Sequence, residues 1–264
     1  MASLSEVSTP RRIGDRYQLD VAPSWRQGRG AFGGLVIAAL IRAIEQHTAD
    51  PARLVRSVTA ELPGPVEHGT GDLTAETLRT GKNMSTVRAA LAQHGEVRAH
   101  AVAILSAARA SAQGVRWNEL TRPEAPTWSE VPALPSGGPW PEFAQHFEYR
   151  ILEGLPASNG PARALGWVRP RDPGAPRDAG YIAAMIDAWW PAALNRFPVM
   201  RPIATIAYTL DIVEGAAGLD PEAPLLYRGT VPVMCDGYFL ETRELWGEDG
   251  RLVALNHQTF AIIQ

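Results

Sequence analysis

A single pattern occurs twice in this chain of 264 residues: an apolar segment with helical spacing is followed by four strand-like runs. Element order and spacing agree in the two halves, which predicts an internal repeat. The best-matching stretches are 33–43 with 179–189, and 95–108 with 250–263. The fold must therefore accommodate two similar units, each built from one central helix and its own set of strands.

The two central helices are predicted at residues 34–47 and 179–194, where apolar residues dominate. Asp178 is suited to cap the second helix, and Gly33-Gly34 lets the first helix begin close to neighbouring backbone or a ligand. Strand-like runs bounded by turn residues complete both halves. In chain order they are 16–22, 54–62, 71–80, 85–93, 96–107, 143–152, 163–169, 203–213, 225–234, 239–246 and 252–263.

An apolar helix followed by a four-strand antiparallel meander is buried when the sheet curls round the helix. Two such units can pair edge to edge and protect their edge strands. The pattern predicts an α+β fold, a tandem (double) hotdog in which each half is an antiparallel sheet wrapped round a central helix, although it is also compatible with other α+β folds. The predicted domains are an N-terminal hotdog (1–109), a linker containing proline and tryptophan (110–141) and a C-terminal hotdog (142–264). We expect the linker tryptophans to pack against the body of the protein: Trp117, Trp128 and Trp140.

Composition excludes several classes of protein. A net charge of −3 without a dense Lys/Arg run argues against a nucleic-acid surface. The sequence has neither a secretory signal nor an apolar run of about 18 residues, so no membrane span is expected. The single cysteine, Cys235, excludes an intrachain disulfide and is typical of a reducing cytoplasm. The six histidines show no metal-ligand spacing, so the sequence predicts no metal site.

Asp187 is the only charged residue in the apolar stretch 181–194. Its helical neighbours at three and four residues cannot pair a charge; they are Ala183, Ala184, Trp190 and Pro191. A carboxylate in that position is costly unless it is hydrogen-bonded or used. Two interpretations stay open: a frayed helix end that lets Asp187 reach water, or a functional carboxylate.

The repeat sharpens this choice, because Asp187 aligns with Ile41 and Gln258 aligns with Ala103. Gln258 shares one face of the last strand with mainly apolar residues, so we expect it to point into the core and to need a partner. Asp187 and Gln258 are suited to bond each other, directly or through a water. The pair is either a structural hydrogen bond or a hydrolytic site, in which the carboxylate acts as general base and the amide orients a water.

Several stretches are together similar to one known family: AFGG (31–34), RLVRSVTAELPGPV (53–66), ETLRTGKNMSTVRA (76–89), IATI (203–206) and LVALNHQ (252–258). With Asp187, they make the chain resemble the acyl-CoA thioesterase II family of double-hotdog (TesB-like) enzymes. The resemblance covers most of the chain except the linker and the termini. It implies hydrolysis of acyl-CoA thioesters to a free carboxylic acid and CoA, with no metal and no organic cofactor.

The resemblance also implies a site of three residues that hold and activate one water. Carried over by position, these are Asp187, Thr205 and Gln258, with Thr209 as an alternative to Thr205 on the same face of the strand. A backbone N–H near a helix start is expected to polarise the thioester carbonyl, and the candidates are Gly33 and Gly34. Acyl-CoA is the expected partner, and a homodimer or higher homo-oligomer is the expected assembly.

Departures from the family concern the neighbours of this trio. Relatives often carry a histidine just after the aspartate, where this chain has Ala188. Three large side chains are predicted either to shape an acyl tunnel or to pack in the core: Trp189, Trp190 and Tyr208. Four basic residues are candidates for the CoA phosphates or for a solvated surface: Arg26, Arg29, Lys82 and Arg88.

Two other functions compete with hydrolysis. A hotdog hydratase acting on an enoyl-CoA usually pairs an aspartate with a histidine five residues later, and here that position is Ala192. A non-catalytic acyl-CoA or lipid binder would keep the fold as a scaffold. Release of free CoA distinguishes a thioesterase from both.

Overall fold

The computed structural model describes residues 2–109, 114–135, 137–138, 140–175, 177–215, 218–220 and 222–263. Positions 110–113, 136 and 139 of the predicted linker lie outside this set. Within the described residues, twelve strands form one antiparallel sheet and two short strands form a separate pair.

The elements occur close to the predicted positions. The first half contains α1 (Leu4–Val7), β1 (Arg11–Ile13), β2 (Arg16–Val21), β3 (Arg26–Gln27), β4 (Gly30–Ala31), α2 (Gly33–Thr48), β5 (Leu54–Glu61), β6 (Gly69–Thr80), β7 (Met84–Gln93) and β8 (Glu96–Ser106). The second half contains β9 (Phe147–Glu153), β10 (Arg163–Pro170), α3 (Ala179–Asp187), β11 (Ile203–Ile212), β12 (Leu225–Cys235), β13 (Tyr238–Gly247) and β14 (Leu252–Ile262).

The order of strands in the large sheet is symmetric about its centre: β1-β2-β6-β7-β8-β5-β11-β14-β13-β12-β10-β9. The two halves join where β5 pairs with β11, and Thr59 lies opposite Thr209 there. Each half therefore has the same sequence of neighbours when the sheet is followed outward from the junction. This arrangement confirms the predicted repeat and the double hotdog.

The central helices α2 and α3 are buried and contact each other. Asp178 caps α3 by accepting a hydrogen bond from the Tyr181 N–H at 2.8 Å. The prediction that this helix continues to residue 194 is wrong, because α3 ends at Asp187. Pro191 is the physical reason: it has no N–H to donate to the carbonyl of Asp187, and it disfavours helical geometry at the residue before it.

One strand and one linker tryptophan also differ from the prediction. The strand expected from residue 143 begins at Phe147, since residues Glu142–His146 form a 3-10 turn whose His146 ring stacks on Trp25 at 4.0 Å. Trp128 packs against the second half as expected, but Trp117 is 81% exposed. Among the linker residues that the structure describes, burial is thus confined to the later part.

Candidate active site

Asp187 is the last residue of α3, and the protein encloses most of its carboxylate. The side chain keeps an exposure of 9%. Its Oδ1 atom accepts hydrogen bonds from Gln258 Nε2 at 2.8 Å and from Arg243 Nη1 at 3.0 Å. The start of α2 at Gly34 lies close to the same residue, since a Cβ atom on Gly34 would be 3.0 Å from Asp187 Cβ. The expected bond between Asp187 and Gln258 is therefore direct.

The amide of Gln258 links Asp187 to a hydroxyl group. Gln258 is fully buried, and its Nε2 also donates to Asn256 Oδ1 at 2.9 Å. Its Oε1 accepts a hydrogen bond from Thr205 Oγ1 at 3.2 Å. Thr205, Gln258 and Asp187 thus form one continuous chain of hydrogen bonds.

Thr209 does not share the orientation of Thr205, and the expectation that it does is wrong. The pairing of β11 with β14 shifts register immediately after Thr205, as in a β-bulge that accommodates Ile206. Beyond the bulge the side chain of Tyr208 points into the core and is fully buried. Thr209 therefore lies on the opposite face of β11, and Thr205 is the one of the two threonines whose hydroxyl meets Gln258.

The pKa of the Asp187 carboxyl is raised above its ordinary value, chiefly because burial penalises the charged form. Arg243, Gln258 and the Gly34 backbone lower the pKa, and Glu241 raises it further. The carboxylate thus combines an increased affinity for protons with hydrogen bonds that hold one of its oxygens in place. Both features suit a candidate general base.

Gly33 and Gly34 allow the start of α2 to approach Asp187 closely. A Cβ atom at Gly33 would lie 3.0 Å from Asp187 Oδ2, and one at Gly34 would lie 2.5 Å from Phe32 Cζ. Among the described residues, no side chain caps α2, and free N–H groups at a helix start favour negative charge. Because Gly33 lines the cavity and Gly34 does not, the N–H of Gly33 is the better candidate for polarising a carbonyl oxygen.

A cavity of about 1190 Å³ lies beside this site and is lined by both halves of the chain. Gly33 and Leu62 line it from the first half, and Thr205 lines it from the second. Asp187 and Gln258 lie behind this lining, in contact with Gly33 and Thr205 respectively. The polar chain therefore reaches the cavity at Thr205.

Aromatic side chains form part of the cavity wall: Trp140, Phe143, Phe147, Tyr149, Trp190 and Phe260. Of the three large residues predicted to shape a tunnel, Trp190 lines the cavity. Trp189 is buried and stacks on Tyr227 at 5.1 Å between ring centroids. Tyr208 is also buried, and its hydroxyl donates to the Ala183 carbonyl at 3.3 Å. Trp189 and Tyr208 therefore belong to the core.

Basic residues at the cavity differ in part from those predicted. Of the four candidates for the CoA phosphates, Arg29 lines the cavity. Arg88 pairs with Glu76 at 2.6 Å on the hairpin of β6 and β7. Arg171 and Arg201, which the sequence did not single out, line the cavity as well. Three guanidinium groups are thus available to an anionic ligand there.

The charged residues behind Asp187 were not predicted from the sequence. Arg243 and Glu241 lie on β13, and Arg243 Nε donates to Glu241 Oε1 at 2.9 Å. Both are buried, with exposures of 1% and 0%. The available signal was the alternation along β13, which places both residues on the same face as Phe239 and Leu245. Charged side chains on such a face need partners, and here Arg243 pairs with both Glu241 and Asp187.

The described part of the chain contains no group of three or more His, Cys, Asp or Glu side chains arranged to hold a metal ion. Its helices include none that is long and apolar enough to cross a bilayer.

Solved structures with the same fold span the whole chain. A hot dog fold protein from Alicyclobacillus acidocaldarius has a TM-score of 0.87 at 22% identity, covering 100% of this chain and 99% of the other. A TesB protein from Mycobacterium avium subsp. paratuberculosis gives a TM-score of 0.81 at 20% identity, with coverages of 99% and 98%. An acyl-CoA thioesterase II from Mycobacterium marinum gives 0.77 at 20% identity, also with coverages of 99% and 98%. At this level of identity, the likeness establishes the fold.

Family profiles identify the sequence more closely than the structures do. Residues 21–107 match the N-terminal domain of acyl-CoA thioesterases, and residues 120–262 match the C-terminal domain. No curated protein matches the chain. The two profile matches cover more than half of the sequence, so the chain belongs to the acyl-CoA thioesterase family and is a thioester hydrolase with a double hotdog fold.

Proposed function

We propose that the protein hydrolyses acyl-CoA thioesters to a free carboxylic acid and CoA by means of one water molecule held by Asp187, Thr205 and Gln258. The observation that carries the proposal is the hydrogen-bonded chain from Thr205, at the cavity wall, through Gln258 to Asp187. The raised pKa of the Asp187 carboxyl suits this group to accept a proton, and the cavity provides room for a substrate.

Each group has a defined part in the reaction. Asp187 takes a proton from the water, whose oxygen attacks the thioester carbonyl carbon. The N–H of Gly33, on the cavity wall, donates to the carbonyl oxygen as that oxygen gains negative charge. The carbon–sulfur bond then breaks, and the leaving sulfur of CoA receives the proton that Asp187 accepted. Thr205 and Gln258 orient the water and the carboxylate and take no net proton.

Release of CoA from a panel of acyl-CoA esters of increasing chain length tests this proposal. The native protein should release CoA from at least one ester, and the Asp187→Asn variant should be slower by at least about a hundredfold, since loss of a general base removes that much. Equal rates in the two proteins would remove Asp187 from the mechanism. A native protein inert across the panel would favour a binder, and loss of enoyl-CoA absorbance without CoA release would indicate a hydratase.

We also propose a homodimer or higher homo-oligomer in the cytoplasm, with residues 1–109, 110–141 and 142–264 as N-terminal hotdog, linker and C-terminal hotdog. Symmetric self-association is the commonest assembly of soluble proteins. The single cysteine, Cys235, is exposed and free, as is typical of proteins in reducing compartments. Light scattering on the purified protein measures the assembly, and the mass of a monomer would contradict the expected oligomer.

A further inference from the structure

We propose that Arg243 and Glu241 are positioning residues for thioester hydrolysis: Glu241 holds the Arg243 guanidinium, and the guanidinium fixes the Asp187 carboxylate behind the cavity wall. The inference rests on the proposed function of Asp187 and deepens it. Arg243 contacts Asp187 directly, Glu241 contacts Arg243, and neither of them lines the cavity, so both act through Asp187 and not on the substrate.

The guanidinium of Arg243 pins the end of α3 at two points. Its Nη1 donates to Asp187 Oδ1 at 3.0 Å and to the backbone carbonyl of Ile186 at 3.2 Å. Together with the Gln258 amide, it occupies Oδ1, whereas Oδ2 lies toward Gly33, which lines the cavity. The two donors, from Arg243 and Gln258, thereby leave Oδ2 as the carboxylate oxygen that is presented to a bound water.

Glu241 in turn fixes the guanidinium and the chain segment that follows Asp187. Its Oε1 accepts hydrogen bonds from Arg243 Nε and from the Tyr227 hydroxyl, each at 2.9 Å. Its Oε2 accepts the backbone N–H of Ala192 at 2.9 Å. Three donors from three different elements therefore converge on one fully buried carboxylate. Such a satisfied network is rigid, as a group that positions another must be.

The balance of charge explains why both residues are required. With all three groups ionised, Asp187 and Glu241 carry two negative charges against the single positive charge of Arg243. When Asp187 accepts a proton from the water, the buried group becomes neutral. Arg243 lowers the pKa of Asp187 and so favours its ionised form, whereas Glu241, which shares the guanidinium, raises that pKa and favours acceptance of the proton.

The other titratable groups facing Asp187 do not interfere with this balance. They are three tyrosines on three other strands: Tyr149 on β9, Tyr208 on β11 and Tyr227 on β12. Burial raises the pKa of each of them, so they stay neutral across the working range. From α2, the approach to Asp187 is made by Gly33 and Gly34.

The test is the pH profile of kcat/KM for CoA release, whose acidic limb reports the ionisation of Asp187 in the free enzyme. Arg243→Met removes the positive charge, so the limb should move to higher pH. Glu241→Gln removes the neighbouring negative charge, so the limb should move to lower pH. Both variants should also lose about tenfold to a hundredfold in kcat at the plateau, because the carboxylate is no longer held in place.

Two further variants separate position from charge and from simple damage. Arg243→Lys keeps the charge but loses the fork, so it should keep the native limb while its kcat falls. Glu244→Gln is the matched control, since Glu244 lies on the same strand and pairs with Arg228 away from Asp187; it should behave as native. Thermal unfolding identifies the folded variants, and Glu241→Gln and Arg243→Lys carry the test if Arg243→Met does not fold.

Shifts of the acidic limb in opposite directions in Arg243→Met and Glu241→Gln support the positioning role, because general destabilisation would not produce opposite shifts in the two variants. Native plateau rates and an unmoved limb in Arg243→Met and Glu241→Gln would overturn the role and leave the proposed function standing. A shift of the acidic limb in the same direction in both variants would also overturn the positioning role. A native protein that releases no CoA would overturn the proposed function, and the positioning role with it.

Discussion

The two halves of the molecule share one architecture and differ in what they bury. Counting outward from the junction of β5 and β11, the strand registers match four apolar residues of the first half to four polar ones of the second: Val55 to Thr205, Val87 to Glu241, Ala89 to Arg243 and Ala103 to Gln258. The helix alignment adds Ile41 opposite Asp187. The fold is therefore satisfied by apolar side chains at every one of these positions.

That difference indicates where the chemistry lies. Buried charges and amides are costly unless they are paired, and replacing them with apolar groups is often neutral or stabilising. The first half shows that the hotdog does not need them. We infer that the second half keeps its polar set for catalysis, while the first half contributes the start of α2 and part of the cavity wall.

The first half does contain one buried arginine, and its surroundings are different. Arg42 donates to both carboxylate oxygens of Asp178, at 2.8 and 3.0 Å, and to the backbone of Ser5 at 3.0 Å. None of these three residues lines the cavity. This cluster ties the N-terminal segment to the two central helices and serves stability.

The largest expected effect on stability comes from removing one charge of the second-half network. Arg243→Ala introduces the residue found at the matching first-half position and removes the cation that Glu241 and Asp187 share, so the free energy of unfolding should fall by about 3–5 kcal/mol. Adding Glu241→Val completes the exchange and should recover much of that loss. Urea unfolding of the three proteins measures this. If the losses of unfolding free energy from Arg243→Ala and Glu241→Val simply add in the double variant, Arg243 and Glu241 do not act as a pair.

Glu45 provides a test at the structural cluster formed by Arg42, Asp178 and Ser5, because the charges of Asp178 and Arg42 act on it. Burial, aided by the charge of Asp178, raises the pKa of Glu45 from 4.5 to about 7. The unfolded chain releases this proton first, so stability should fall as pH rises from about 4.5 to 7 and stay low above that. Glu45→Gln should remove the slope and gain up to roughly 3 kcal/mol at pH 8.

CoA release by Glu45→Gln should equal that of the native protein, since Arg42, Asp178 and Glu45 lie outside the active site. Unfolding curves with the same pH dependence in both proteins would show that Glu45 does not titrate in this way. A loss of activity would contradict the division between a structural and a catalytic cluster.

The close approach of α2 to α3 should be sensitive to a single methyl group. In Gly34→Ala, the new Cβ would lie 2.5 Å from Phe32 Cζ and 3.0 Å from both Ala184 Cα and Asp187 Cβ, so overpacking should cost about 1–3 kcal/mol. CoA release should fall as the Gly34 backbone moves from Asp187. Gly81→Ala is the control, because its Cβ would meet only an ordinary contact, Met84 O at 3.4 Å. Equal melting temperatures of the two variants would contradict the close packing.

The smallest expected effect tests the bulge in β11. Thr205→Val installs the first-half residue and removes the hydroxyl that donates to Gln258, so kcat should fall by about tenfold, the loss expected for one hydrogen bond of roughly 1.4 kcal/mol. Thr209→Val makes the same chemical change on the opposite face of the strand. It should leave kcat unchanged, and a larger loss there than at Thr205 would reverse the assignment.

Much of the fold could be predicted because its signals are local. Alternation of apolar residues and turn residues such as His94-Gly95 set the strands, and most strand ends agree with the structure within two residues. The meeting of Asp187 with Gln258 followed from the repeat, because both are polar where the first half is apolar. The end of α3 could have been predicted as well, since Pro191 marks it.

Other features are set by tertiary packing and were not predicted. The bulge after Thr205 has no glycine or proline to mark it, so strict alternation placed Thr209 on the wrong face. Arg243 and Glu241 were overlooked because each resembles a surface residue on its own, and only their shared burial beside Asp187 gives them meaning. The cavity brings together residues distant in sequence, which is why Arg171 and Arg201 were missed.

The central claim is that the Asp187 carboxylate is the general base. The most direct test compares kcat for CoA release in two variants, each of which converts one aspartate of the second half to asparagine. Asp187→Asn changes the buried carboxylate at the end of α3, and Asp211→Asn changes an exposed one on β11. With both variants folded, we predict native activity for Asp211→Asn and a loss of at least about a hundredfold for Asp187→Asn. Equal activity of the two would contradict the claim.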